Sequence, residues 1–87
     1  METEIINGHK AVVRHIFKPE EIKVGSKWIR ADGSGGIVTI EGVNQYGSME
    51  PWTEVEFSWD FDGEKVIHAK DAFSFQCRYL LIVEDEE

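Results

Sequence analysis

Over residues 52–60, polar and apolar positions alternate one by one. Glu54, Glu56, Ser58 and Asp60 fall on one face of a β-strand, and Thr53, Val55, Phe57 and Trp59 fall on the other. Trp52 begins the strand on the carboxylate face. Short apolar runs separated by turn dipeptides recur along the rest of the chain. Ile5, Ile6 and the run Ala11-Val12-Val13 flank Asn7-Gly8, the pair best suited to a two-residue hairpin turn, and the second arm is expected over 9–17. Pro19 ends ladder pairing there, and a turn over 18–21 follows. Residues 27–30 and 37–43 read as an antiparallel pair joined by the glycine-rich turn 32–36. A loop over 44–51 then delivers the acidic strand. Asp62-Gly63 turns the chain into a strand over 65–70. Residues 71–78 suit one helical or 3₁₀ turn, capped by Asp71, with Phe73 or Phe75 facing inward; 79–83 form the last strand and 84–87 a solvated acidic tail.

Five to six short strands with tight turns and one helical turn near the end predict an all-β, mainly antiparallel fold, built as a small partly open barrel. The chain is expected to be a single domain: an N-terminal hairpin over 1–17, the barrel over 22–83 and the tail over 84–87. The stretch Ile22-Lys-Val-Gly-Ser-Lys-Trp-Ile29, followed by Asp32-Gly-Ser-Gly-Gly-Ile-Val-Thr-Ile-Glu-Gly-Val43, resembles the opening of SH3-like barrels of the KOW and Tudor kind. The ending Lys70-Asp-Ala-Phe-Ser-Phe-Gln-Cys-Arg-Tyr-Leu-Leu-Ile82 is similar to the short turn and last strand of small SH3-like proteins encoded by bacteriophages. The resemblance implies the fold. KOW domains that touch RNA are basic on the strands that are acidic here, so direct nucleic-acid binding is not the favoured expectation.

Charge sharpens the picture. From Asp32 to Glu64 the chain carries eight carboxylates and no lysine or arginine. The net charge of −8 divides into +2 over residues 1–31 and −10 over 32–87. Such a surface repels DNA, RNA and anionic lipid at long range and favours a basic partner. Cys77 is the single cysteine, so no internal disulfide forms. Its neighbours Phe75 and Tyr79 suggest a buried thiol. The glycine run lacks the lysine of a phosphate-binding loop, and His9, His15 and His68 have no catalytic or zinc-ligand spacing. A chain of 87 residues leaves little volume for a substrate cleft. The expectation is a non-enzymatic protein without cofactor or metal. Neither a basic leader nor a membrane-length apolar run is present, which suits the cytoplasm.

The candidate site is the acidic face. Alternate strand residues lie roughly 6.5 to 7 Å apart, close to the phosphate repeat of nucleic acid when staggered over neighbouring strands. Glu41, Glu54, Glu56, Asp60 and Glu64, with Trp52 as a hydrophobic anchor, would engage a basic protein surface; in the concrete version they imitate DNA and inhibit a nucleic-acid-binding host factor. The same charges would also serve simply as a solvated face that discourages edge pairing. Trp28, Tyr46 and Trp52 are candidates for an aromatic cage around a cationic ligand. Two further readings compete: a KOW-like nucleic-acid or ribosome-associated module using Lys10, Arg14, Lys18, Lys23, Lys27 and Arg30, and an assembly subunit that pairs through strand edges, with Ile5 and Ile6 as the natural surface.

Overall fold

Asn7 and Gly8 both take positive φ, 51° and 85°, and so do Asp62 and Gly63, 54° and 79°. Each pair forms the two-residue turn whose twist matches that of flanking antiparallel strands. In the computed structural model, which describes residues 1–83, these turns close two hairpins: β1 (Thr3–Ile6) with β2 (His9–Val12), and β5 (Trp52–Phe61) with β6 (Glu64–Asp71). Between them lie a 3₁₀ turn at Pro19–Glu21, β3 (Lys27–Arg30) and β4 (Ile37–Tyr46); after them come α1 (Ala72–Arg78) and β7 (Tyr79–Leu81). The expected tail over 84–87 lies outside the described residues.

Among the described residues seven strands form two antiparallel sheets, β1-β2 and β6-β5-β4-β3-β7. The fold is all-β and open, with one short helix before the last strand. The second arm of the first hairpin is shorter than the expected 9–17: β2 stops at Val12, and Arg14 takes a φ of 57°, which turns the chain out of the ladder. His15 is therefore not in a strand. The expected loop over 44–51 shrinks to 47–51, because β4 runs on to Tyr46.

Phe57 on β5 and Tyr79 on β7 explain the curvature. In the sheet these strands are separated by β4 and β3, so a flat sheet would hold them about 14 Å apart at roughly 4.8 Å per strand. Their rings instead meet at 5.6 Å between centroids, so the sheet curls over its inner face. Inside the curl Trp28, Ile40, Val55, Phe57 and Phe75 are fully buried. Phe75 stands between Trp28 at 5.1 Å and Phe57 at 4.8 Å. Phe75, not Phe73, is thus the inward residue of α1, and Cys77, expected to be buried, is exposed. Gln76 ties the loop before the 3₁₀ turn to α1: its Oε1 accepts from the Phe17 backbone N–H at 2.7 Å, and its Nε2 donates to the Phe17 carbonyl at 3.1 Å. A side-chain amide here replaces the ladder partner that Phe17 lacks. The first hairpin joins the main sheet through an Ala11–Ile82 bridge and a hydrogen bond from the Val83 N–H to the Lys10 carbonyl at 2.8 Å. Among the described residues, no helix is long and apolar enough to cross a membrane.

Candidate functional site

The register of β4 against β5 shifts between Ile40 and Gly42, where Glu41 is an extra, bulged residue. Before the bulge Val38 and Ile40 face the core; after it, Val43 packs inward, opposite Val55. The one-residue shift sends Asn44 and Tyr46 to the outer face, in register with Glu54 and Trp52. β6 adds Ala69 opposite Glu56, Asp71 opposite Glu54 and Lys65 opposite Asp60. The outer face of three strands is therefore built from strand register, and it separates into two parts.

In the first part Glu41 is neutralised. Glu41 Oε2 accepts from the Ser58 hydroxyl and lies 3.2 Å from Lys65 Nζ. The Ser58 hydrogen bond, followed by the one from Lys65, holds the Glu41 carboxyl below its ordinary range. Lys27 Nζ donates to Thr39 Oγ1 at 2.9 Å beside this pair. An open groove of about 570 Å³ runs here, with Asp60, His9, Ile37 and Ile82 also in its walls. Ser58, expected on the solvent face, is 4% exposed because it sits beneath Glu41. Lys65 stands one residue beyond the lysine-free segment and Lys27 precedes it, yet the fold brings Lys65 onto Glu41 and Lys27 onto Thr39 beside it.

The second part keeps its charge. Glu54 and Glu56 stand half-buried on β5, with Asn44, Tyr46, Trp52, Ala69 and Asp71 around them and no lysine or arginine among these neighbours. Asn44 Nδ2 donates to Glu56 Oε2 at 3.2 Å, and the Tyr46 hydroxyl donates to Glu54 Oε1 at 3.4 Å. Gly42 leaves room for Glu56: a Cβ there would stand 3.1 Å from Glu56 Oε1. Tyr46 and Trp52 are 46% and 47% exposed, their rings 5.0 Å apart and tilted by 33°. The negative charge of Glu54 pushes the Tyr46 phenol above its ordinary value. Asp71 faces Glu54 directly, a like-charge pair, but its carboxylate turns to the start of α1, where Oδ2 accepts from the Ser74 N–H at 3.0 Å. That bond holds the Asp71 carboxyl below its ordinary range.

Of the residues singled out in the sequence, Trp52, Glu54 and Glu56 come together, Glu41 and Asp60 line the groove beside Lys65, and Glu64 falls on the opposite face. Trp28 is no part of an aromatic cage: it is buried, and its Nε1 donates to the Ser26 hydroxyl at 3.0 Å. The basic residues of the first third are spread apart. Arg14 pairs with Glu2 at 2.8 Å and with Glu4 at 3.3 Å, Lys23 donates to the Glu20 carbonyl, and Lys27 lies on the acidic face. Among the described residues, no group of three His, Cys, Asp or Glu side chains could hold a metal ion. Sequence reading missed Asn44, gave Asp71 only its capping role, and did not place Tyr46 beside Glu54. Gly42 within an apolar run was the available signal, since glycine inside a strand marks a bulge. No family model, curated protein or solved structure matches the chain.

Proposed function

We propose that this protein is a non-enzymatic binding module that engages a basic protein surface through the charged part of its outer face. The single observation that carries the reading is the juxtaposition of Glu54 and Glu56, which lack basic neighbours, with the exposed Tyr46–Trp52 pair. Carboxylates fixed on a central strand accept charge-assisted hydrogen bonds from lysine and arginine. The adjoining ring faces take the apolar stems and the cations themselves. A half-exposed tryptophan next to such charges is the residue type that dominates protein interfaces. The most concrete partner is a nucleic-acid-binding protein, whose phosphate-contacting lysines and arginines would be occupied by the module and so withheld from nucleic acid. The site is narrower than the full rail: Glu41 and Asp60 already have Lys65 beside them.

A pull-down with wild type and with the double variant Glu54→Lys/Glu56→Lys, each with and without duplex DNA as competitor, tests the reading. The expected result is a nucleic-acid-binding protein retained by the wild type, lost with the variant and displaced by DNA. Equal retention by both proteins would refute it. Reversal at Asp60 is expected to weaken retention far less than reversal at Glu54 and Glu56.

A further inference from the structure

The main sheet has one long open edge, and its hydrogen-bonding phase can be worked out. The Asp62-Gly63 turn closes Phe61 and Glu64 as a hydrogen-bonded pair, and such pairs recur at every second residue of an antiparallel ladder. Glu64, Val66, His68 and Lys70 therefore direct N–H and C=O toward β5, while Lys65, Ile67 and Ala69 direct theirs away from the sheet. The first hairpin, closed by the same turn, obeys this phase: from the Ile6–His9 pair it leads to Glu2–Val13, where the Val13 N–H donates to the Glu2 carbonyl at 3.0 Å. At the opposite end of the main sheet, β7 is covered by β2.

β6 is defended as an edge only at its two ends, by Glu64 and Lys65 and by Lys70 and Asp71. It has no proline, glycine or bulge, its register against β5 runs unbroken from Asp71 to Glu64, and the central Val66-Ile67-His68-Ala69 carries no fixed charge, with Ile67 56% exposed. We infer that β6 is a self-association edge on which a second copy of this chain adds its own β6 antiparallel, about a two-fold axis through Ile67. This register sets Ile67 against its counterpart, Lys65 against Ala69, Val66 against His68 and Glu64 against Lys70, and the outward-facing residues exchange their free hydrogen bonds.

Charge selects the second copy as the occupant. On the inner face of the β5–β6 hairpin, the turn end carries Glu64 next to the Asp62-Gly63 turn. At the other end Lys70 borders a depression of about 240 Å³ lined by Arg30, His68 and Arg78, together with aromatic rings and no carboxylate. Among the described residues, Glu64, Lys70 and Arg78 take no ion pair within the chain. Antiparallel pairing brings Glu64 of each copy to Lys70 of the other, twice per dimer, on the face opposite that of Glu54, Glu56 and Asp71. Moving the register so that His68 meets its own counterpart would instead set Val66 against Lys70 and leave Glu64 without a partner strand residue.

Sedimentation equilibrium of the full chain, with Cys77 kept reduced, from about 10 µM to about 1 mM tests the inference. The mass is expected to rise toward that of a dimer. Glu64→Lys and Lys70→Glu are each expected to weaken association by about tenfold, since two pairs become repulsive, and the double variant Glu64→Lys/Lys70→Glu to restore it. Amide exchange adds a readout of phase: Lys65, Ile67 and Ala69 should exchange more slowly as concentration rises, while His68 does not change. Glu54→Lys/Glu56→Lys should leave the dimer intact, which separates this edge from the partner-binding face. A chain that stays monomeric to about 1 mM, or a dimer that ignores the charge reversals and protects β1 amides instead, overturns the inference.

Discussion

Tyr46 and Glu54 show how one residue position decides what the surface is. Simple alternation from Ile40 would put Tyr46 inside, because both are even-numbered in one strand; the extra residue Glu41 inverts that parity and places the phenol against the Glu54 carboxylate. The facing carboxylate raises the Tyr46 pKa above the ordinary value of 10.0. Glu54→Gln removes the charge and is expected to return the phenol toward its ordinary value. Ultraviolet absorbance against pH checks this, with Tyr46→Phe assigning the transition. A titration that is the same in Glu54→Gln and wild type would mean that the two side chains do not interact in solution. The β5 face was legible from the sequence because strict alternation survives there without interruption. The β4 half was not, because a bulge leaves only a glycine as its mark, and parity beyond it must be known before Asn44 and Tyr46 can be assigned to a face.

At the scale of elements, the helical segment was anticipated, but not what holds it. α1 has only seven residues, too few to be stable by itself, and depends on its anchors: Asp71 at its N-cap, Phe75 in the core and Gln76 on the Phe17 backbone. The cap was readable, since Asp precedes a run with helical potential. The Gln76 bridge was not, because its partner is 59 residues away and neither the turn at Arg14 nor the unpaired Phe17 backbone leaves a sequence signature. The two anchors are predicted to differ in value. Asp71→Ala loses the cap but also removes the charge opposing Glu54, so the net loss should be small. Asp71→Asn keeps a cap and removes the repulsion, so it should be neutral or slightly stabilising. Gln76→Ala leaves a buried N–H and a buried carbonyl without partners, at about 1–3 kcal/mol for each unsatisfied group, and should destabilise far more. Urea denaturation of the three variants ranks them; a Gln76→Ala loss no larger than that of Asp71→Ala would remove the bridge from the account of this fold.

For the whole molecule, two electrostatic effects act against each other as the pH falls. The net charge of −8 repels itself, and titration toward the pI of about 4.8 relieves that repulsion, which favours the folded state. Glu2, Asp32, Glu41 and Asp71 act in the opposite direction, because hydrogen bonds from Arg14, Ser34, Ser58 and the Ser74 backbone, respectively, lower their pKa in the folded chain. A carboxyl whose folded pKa lies below its unfolded value contributes stability that is fully present above the unfolded value, 4.5 for glutamate and 3.8 for aspartate, and is lost as the pH falls through the folded value. The melting temperature should therefore hold or rise from pH 7 to about 5 and then fall below about 4. Added salt separates the causes: screening should raise the melting temperature at pH 7, where repulsion dominates, and do so less near the pI. Thermal melts across this pH range at low and high salt measure both. A melting temperature that declines steadily from pH 7 and is insensitive to salt at that pH would mean that the dense carboxylates of β5 and its neighbours are not repelling one another. The charge held by Glu54 and Glu56 would then be far less available to a basic partner than their lack of cationic neighbours implies.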